Sequence, residues 1–272
     1  MGVLNVTPDS FSDGGLYITH EAAVALGLEM MHAGADVIDV GGESSRPGAE
    51  PVPVAVELAR VLPVVAALAD AARDDAARDA GRGVRVSVDT VKPEVAAAAV
   101  EAGASLVNDI SASLWEVAAA TGAGWVAMHM QGRPRTMQDN PRYEAVVGQV
   151  QAFVLERARR ALAAGVGEVW VDPGIGFGKT PAHNLSLLRH LPALVEAAAG
   201  AGCAGVMVGA SRKRFLGVLA ADPGSPEPAP VAERGEGSLA TEAAALVAGV
   251  GMLRVHDVAA TAQMARLYGP AA

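Results

Sequence analysis

Short runs of consecutive aliphatic residues recur along the chain, each after a longer stretch of helical character. The join between the two is glycine almost every time. Ala33-Gly34-Ala35 precedes the run 36–40, Ala102-Gly103-Ala104 the run 105–107, and Gly122-Ala123-Gly124 the run 125–128. Gly165-Val166-Gly167 precedes 168–171, Gly202 precedes 205–208, and Gly249-Val250-Gly251 precedes 252–255. Glycine at a helix C-cap takes positive φ without steric cost, so each phrase reads as a helix closing directly into a strand. Aliphatic runs without polar alternation belong to parallel strands covered on both faces. Runs 3–6 and 84–88 bring the strands to eight. Helices are predicted over 20–32, 53–80, 93–101, 115–120, 144–164, 184–199, 239–248 and 258–267. Eight βα units predict an α/β fold of the (β/α)8 TIM-barrel type, with residues 1–272 as a single domain. The competing open, doubly wound sheet would show a glycine fingerprint after its first strand, and Val3-Leu4-Asn5-Val6-Thr7-Pro8-Asp9 has none. Residues 70–82 read as a solvated helix end. Residues 222–237, with Pro223, Pro226, Pro228 and Pro230, read as a flexible surface loop.

Composition narrows the function classes. Hydrophobic residues make up 51% of the 272 positions but aromatics only 4%, so the core is aliphatic. Thirty Asp and Glu against 21 Lys and Arg give a net charge of −9, which removes the electrostatic case for nucleic-acid binding. Cys203 has no second cysteine to pair with, as suits a reducing compartment. No basic segment followed by an apolar run opens the chain, and the apolar stretch 52–69 is broken by Glu57, Arg60 and Pro63. The expectation is a soluble cytoplasmic protein with no membrane partner.

In a barrel of this kind the C-terminal strand ends carry the active site, and here they are polar. Strand one ends in Asn5, three in Asp89-Thr90, four in Asn108-Asp109 and six in Asp172-Pro173-Gly174. Strand seven runs into Gly209-Ala210-Ser211-Arg212-Lys213 and eight into Arg254-Val255-His256-Asp257. Asp or Asn after a strand is an ordinary turn former or helix cap, but these ends and the Gly41-to-Gly48 loop after strand two make seven polar ends on one rim, which call for a ligand. Asp89, Asn108 and Asp172 supply acceptors that a planar heterocycle with an amidine-like donor edge would satisfy, and Lys213 could donate to a ring carbonyl. Arg254 and His256, two apart, project from one face of their strand. With Ser211 they fall where barrels commonly bind phosphate. A heterocyclic phosphate ester fits both halves.

The same residues carry a family resemblance. Asn5-Val6-Thr7-Pro8-Asp9-Ser10-Phe11-Ser12-Asp13-Gly14-Gly15 closely resembles the first signature of dihydropteroate synthase, and Gly41-Gly42-Glu43-Ser44-Ser45-Arg46-Pro47-Gly48 the second. The blocks around Asp89, Asn108, Asp172 to Lys179, Ser211 to Lys213 and Arg254 to Asp257 follow in family order. The resemblance implies an enzyme, a transferase of folate biosynthesis. It would join 7,8-dihydropterin pyrophosphate to p-aminobenzoate, release pyrophosphate, and act as a homodimer. It implies that Asp89, Asn108 and Asp172 hold the pterin, with Lys213 at its carbonyl edge and Met128, Phe177 and Gly209 in the pocket wall. It implies that Asn5 binds Mg²⁺ with the pyrophosphate, and that Arg46, Arg254 and His256 contact the phosphates. Phe11, Ser45, Pro47, Ser211 and Lys213 would surround p-aminobenzoate.

Other features read as structural. Gly178-Lys179-Thr180 fails as a P-loop because the first required glycine is Pro173, so Lys179 reads as a loop lysine. His129 lacks partners at metal spacing, Trp125 and Trp170 read as packing, and Cys203 as an inert thiol. A folate-dependent methyltransferase of related barrel type would not need the Thr7-to-Gly15 loop or Ser211-Arg212-Lys213. A catalytically silent pterin-binding paralogue would have lost some of these blocks.

Overall fold

The glycines expected to close helices do so in space. Gly34, Gly103, Gly122, Gly165, Gly202 and Gly249 all lie at φ between 74° and 113°, and the Gly34 N–H caps the carbonyls of Met30 and Met31. The computed structural model describes residues 1–7, 19–44, 48–78, 83–222, 225 and 227–268. Its strands are β1 (Gly2–Asn5), β2 (Val37–Gly41), β3 (Arg85–Asp89), β4 (Leu106–Asp109), β5 (Gly124–Met128), β6 (Val169–Asp172), β7 (Gly205–Val208) and β8 (Met252–Leu253). The helices are α1 (His20–Ala33), α2 (Val54–Arg78), α3 (Pro93–Glu101), α4 (Trp115–Thr121), α5 (Val146–Ala163), α6 (Pro181–Arg189), α7 (Leu191–Gly200), α8 (Arg214–Ala220), α9 (Gly235–Val247) and α10 (Val258–Tyr268).

All eight strands run parallel in chain order. The Gly2–Val255 bridge and the Val3 N–H to Val255 carbonyl bond of 2.9 Å close β8 onto β1. This is the predicted (β/α)8 barrel. Alternate strand residues face opposite sides, so Leu4, Ile38, Val40, Val88, Val107 and Val171 pack outward against the helices. Val37, Leu106, Val126 and Met207 fill the inside of the barrel with Trp170 and Met252. At the N-terminal rim Arg85 grips Glu168 through both guanidinium nitrogens at 2.8 and 2.7 Å, and Trp170 donates to the same carboxylate at 2.7 Å.

The helix expected over 184–199 is two helices. Pro192 cannot supply an N–H inside a helix, and it sits in the first turn of α7, just past the break at His190. The segment 222–237 is less irregular than its prolines suggested, since Val231–Arg234 form a 3-10 turn and α9 already begins at Gly235. The short α8 had no sequence signal.

Candidate active site

Register sets the site before any side chain is considered. Asn5 pairs with Gly41, Gly41 with Asp89, and Asp89 with Asn108, so these four form one row across β1 to β4. Met128 and Asp172 form a matching pair on β5 and β6. These positions have the parity of the inward-facing residues, and the row opens at the C-terminal mouth. A pocket lies there, lined by Asp89, Asn108, Ile110, Met128, Asp172, Phe177, Met207, Gly209, Lys213 and Arg254. The structure thus brings together eight of the predicted site residues and adds Ile110 and Met207 as apolar walls.

Parity separates Asn108 from its neighbour. Asp109 points outward, where its carboxylate accepts from the N–H groups of Ser111, Ser113 and Leu114, the Ser111 hydroxyl and the Trp125 indole, at 2.5 to 3.2 Å. It is a cap, as the turn-former reading held.

The acids of the pocket are not as bare as their own strands suggested. Arg254 donates from Nε to Asp39 Oδ2 at 2.7 Å and from a terminal nitrogen to Asp89 Oδ2 at 2.8 Å. Its guanidinium is therefore engaged on two carboxylates, of which Asp89 lines the pocket and Asp39 lies behind it. Asp39, fully buried, also accepts from Asn108 Nδ2 at 2.8 Å. Sequence reading missed it because it sits inside an aliphatic run. The signal was the period-two spacing of positions 37, 39 and 41.

Lys213 reaches over the Phe177 ring, its Nζ 4.4 Å from the centroid, and donates to the Ile175 carbonyl. Asp172 accepts from the Gly174 N–H at 2.7 Å. Burial pushes Asp89 up to about 7, against the pull of Arg254. Asp172 also rises through burial, opposed chiefly by Lys213. Burial lowers Lys213 to about 8 even with Asp172 beside it.

Lys179 is not a surface lysine. It is buried, with Nζ 2.9 Å from the carbonyls of Gly174 and Phe177, 3.2 Å from that of His129, and 3.0 Å from His129 Nδ1. It ties the turn after β6 to the end of β5, and burial lowers it to about 7. The approach is so close that a Cβ on Gly174 would fall 1.8 Å from the His129 carbonyl oxygen, at a φ of 65°. His129 is a structural histidine, as expected, held by burial near 3. The remaining lysine, Lys92, joins Glu43 to the buried Glu57, which accepts from Thr90 Oγ1 at 2.7 Å. All three lysines of the chain are thus fixed around the mouth.

Ser211 is buried and accepts from the His256 N–H at 3.2 Å, tying the β7 loop to the end of β8. Phe11, Ser45, Arg46 and Pro47 lie outside the described residues. A metal would find one protein oxygen at the row's edge. The Asn5 amide oxygen lies 3.5 Å, and an Asp89 oxygen 3.8 Å, from the point a Cβ on Gly41 would occupy. Among the described residues no three His, Cys, Asp or Glu side chains cluster as metal ligands. A lone amide oxygen beside a cradle left open by glycine fits a hard cation that takes most of its ligands from substrate phosphates and water. A wider, more open cleft beside α6 is lined by Pro141, Arg142, Tyr143, Glu144, Gln149, Thr180 and His183, none of them among the predicted site residues.

A barrel mouth sets buried acids and an Asn against a lysine, and residues 1–256 match the pterin binding enzyme family. The dihydropteroate synthase of Escherichia coli K12 is 42% identical over 274 residues, covering 98% of this chain and 89% of its own. A Yersinia pestis dihydropteroate synthase, solved as a sulfonamide drug complex, superposes with a TM-score of 0.85 at 40% identity, covering 98% and 91%. The Xanthomonas albilineans enzyme, solved with 7,8-dihydropteroate, gives 0.78 at 40% identity, covering 98% and 90%. The chain belongs to the pterin-binding enzyme family and, within it, to the dihydropteroate synthases, transferases of folate biosynthesis.

Proposed function

We propose that the whole chain works as one pterin-binding barrel domain that joins 7,8-dihydropterin pyrophosphate to p-aminobenzoate. The observation that carries this is the set of inward acceptors, Asp89, Asn108 and Asp172, lining one pocket with Lys213. The ring's donor edge would lie on the acceptors and its carbonyl on Lys213 Nζ. Hydrogen bonds from the ring favour the ionised carboxylates and so offset their burial.

The carbon–oxygen bond between the pterin methylene and the pyrophosphate breaks, and its electron pair leaves on the pyrophosphate oxygen. Positive charge then spreads from the methylene into the ring, where Asp89 and Asp172 stabilise it from fixed positions. The p-aminobenzoate nitrogen forms the new carbon–nitrogen bond and loses a proton to the medium. Arg46, His256 and Arg254 are proposed to meet the phosphate oxygens. For Arg254 this requires that the incoming substrate share the guanidinium now on Asp39 and Asp89. Asn5 would hold Mg²⁺, which when bound neutralises charge on the departing group. Phe11, Ser45, Pro47, Ser211 and Lys213 are proposed around p-aminobenzoate. Ser211, buried under His256, would act mainly by shaping that wall.

A homodimer is part of the proposal, supported by the apolar side chains of Leu219, Val231 and Val247 left exposed on one stretch of chain. So is work in the cytoplasm, a reading supported by the single cysteine, Cys203, which stays a free thiol and needs no oxidising compartment. No described helix is long and apolar enough to cross a membrane. The test is incubation with both substrates and Mg²⁺, following pyrophosphate and identifying the product by mass. Pyrophosphate release that requires p-aminobenzoate and yields dihydropteroate is expected. Release without p-aminobenzoate would mean hydrolysis, and no release would favour the silent pterin-binding paralogue.

A further inference from the structure

The Asn108 amide can be read in one orientation only. Its Nδ2 donates to Asp39 Oδ2 at 2.8 Å, and turning the amide over would set two acceptor oxygens against each other. Among the described residues, Asn108 Oδ1 is buried and has no hydrogen-bond partner, and Asp39 Oδ1 is in the same condition. A buried acceptor left open forfeits its hydration without return, so a ligand donor is the natural partner for the oxygen of Asn108, a residue that lines the cavity. Asp39 does not line that cavity. It reaches the ligand only through two side chains that do, since the oxygen that holds Asn108 also accepts from Arg254 Nε at 2.7 Å.

We propose that Asp39 is a positioning residue that sets the polarity of the pocket. By binding the Asn108 amino group from behind, it forces the Asn108 oxygen forward, so that the row Asp89, Asn108, Asp172 presents acceptors alone. The pocket then selects a ring with an amino group at that edge and rejects the same ring carrying a carbonyl there. This rests on the pterin reading above and adds the origin of its selectivity.

Asp39→Leu makes the test specific. An asparagine here could leave its oxygen accepting from both Arg254 and Asn108, whereas leucine removes that acceptor and frees the Asn108 amide to turn. Calorimetric titration of dihydropterin pyrophosphate into D39L, without p-aminobenzoate, is expected to show binding weakened roughly ten- to hundred-fold, the usual loss when a group that orients a binding residue is changed. The counterpart with a carbonyl in place of the ring amino group should lose far less, so discrimination between the two ligands collapses. A merely structural role for Asp39 would weaken both alike.

The double variant D39L/N108D restores the pattern. A carboxylate at position 108 presents an acceptor oxygen to the ring whichever way it turns, so it needs no group behind it. This variant is expected to bind the pterin more tightly than D39L and to recover the discrimination. Should D39L fold poorly, the double variant is read against wild type alone, and loss of discrimination there overturns the proposal. Wild-type affinity and discrimination in D39L, or a double variant no better than D39L, would overturn it too. Failure of the wild-type chain itself to bind dihydropterin pyrophosphate would instead overturn the pterin reading.

Discussion

Replacing Asp89 by Asn separates stability from function in opposite directions. The carboxyl is largely buried, and its folded value of about 7 against 3.8 already includes the attraction of Arg254. Burial therefore outweighs the ion pair. Because the folded value is raised, ionisation destabilises the free protein progressively between pH 4 and 7, and the penalty is complete above 7. Its size at pH 8 is on the order of 4 kcal/mol as an upper bound. An amide keeps the shape and removes that cost, while Arg254 retains Asp39 at 2.7 Å. After allowing for the weaker bond to Arg254, D89N should be more stable than wild type by about 1–2 kcal/mol at pH 8. That is a rise of a few degrees in melting temperature for a chain of this size, and the gain should shrink by pH 5. Turnover should move the other way. Removing a fixed charge aimed at developing positive charge costs about 10²–10³-fold in kcat/KM. Thermal unfolding of the unliganded protein at the two pH values, beside steady-state pyrophosphate release, reads both. A variant destabilised by several kcal/mol at pH 8, or one that turns over within ten-fold of wild type, would refute the reasoning.

Other outcomes follow from the same contacts. The pH profile of kcat/KM for the pterin substrate should be bell-shaped, with an acid limb near 7 as Asp89 takes up a proton and an alkaline limb near 8 as Lys213 loses one. The acid limb should disappear in D89N. Asp109→Ala strips an acceptor from five donors, among them the buried Leu114 N–H and Trp125 indole. Denaturant unfolding should show a loss of about 3–5 kcal/mol. Glu168→Gln, at the opposite end of the barrel, should lower stability by about 1 kcal/mol, because both partners of its ion pair are about one-third exposed. Its kcat should stay unchanged. Arg85 holds Glu168 below the usual carboxylate range, so its stabilisation is present above the ordinary value and vanishes as pH falls through the lowered one. The wild-type advantage over E168Q should therefore shrink as the pH falls below 4.5.

The barrel was legible because six of the eight strands are announced by a glycine that closes the preceding helix, a constraint on a single backbone angle that survives any side-chain context. Helix division was less so. Pro192 is compatible with both a first turn and a break, and only packing decides, while α8 is too short to show a period. Within the site, Asp89, Asn108, Asp172 and Lys213 could be found because they stand at strand ends or in the β7 loop. Asp39 could not, since a charged residue within an aliphatic run is visible only once inward parity is known. The same parity divides Asn108 from Asp109, two adjacent polar residues with unrelated tasks. Arg254 was placed on the correct face, but its partners Asp39 and Asp89 lie on strands 215 and 165 residues away in the chain, a distance no local pattern spans. Lys179 read only as a loop lysine because the three carbonyls that hold it are backbone groups, which leave no mark in a sequence.

The central claim is that the inward row at the barrel mouth holds the pterin. Diffraction from crystals of the chain soaked with dihydropterin pyrophosphate tests it most directly. The ring should lie between Met128, Phe177 and Arg254 with its amino edge on Asp89, Asn108 Oδ1 and Asp172 and its carbonyl on Lys213 Nζ. Density for the ring in the cleft beside Tyr143 and His183, or a ring in the barrel mouth turned with its carbonyl toward Asp172, would contradict it.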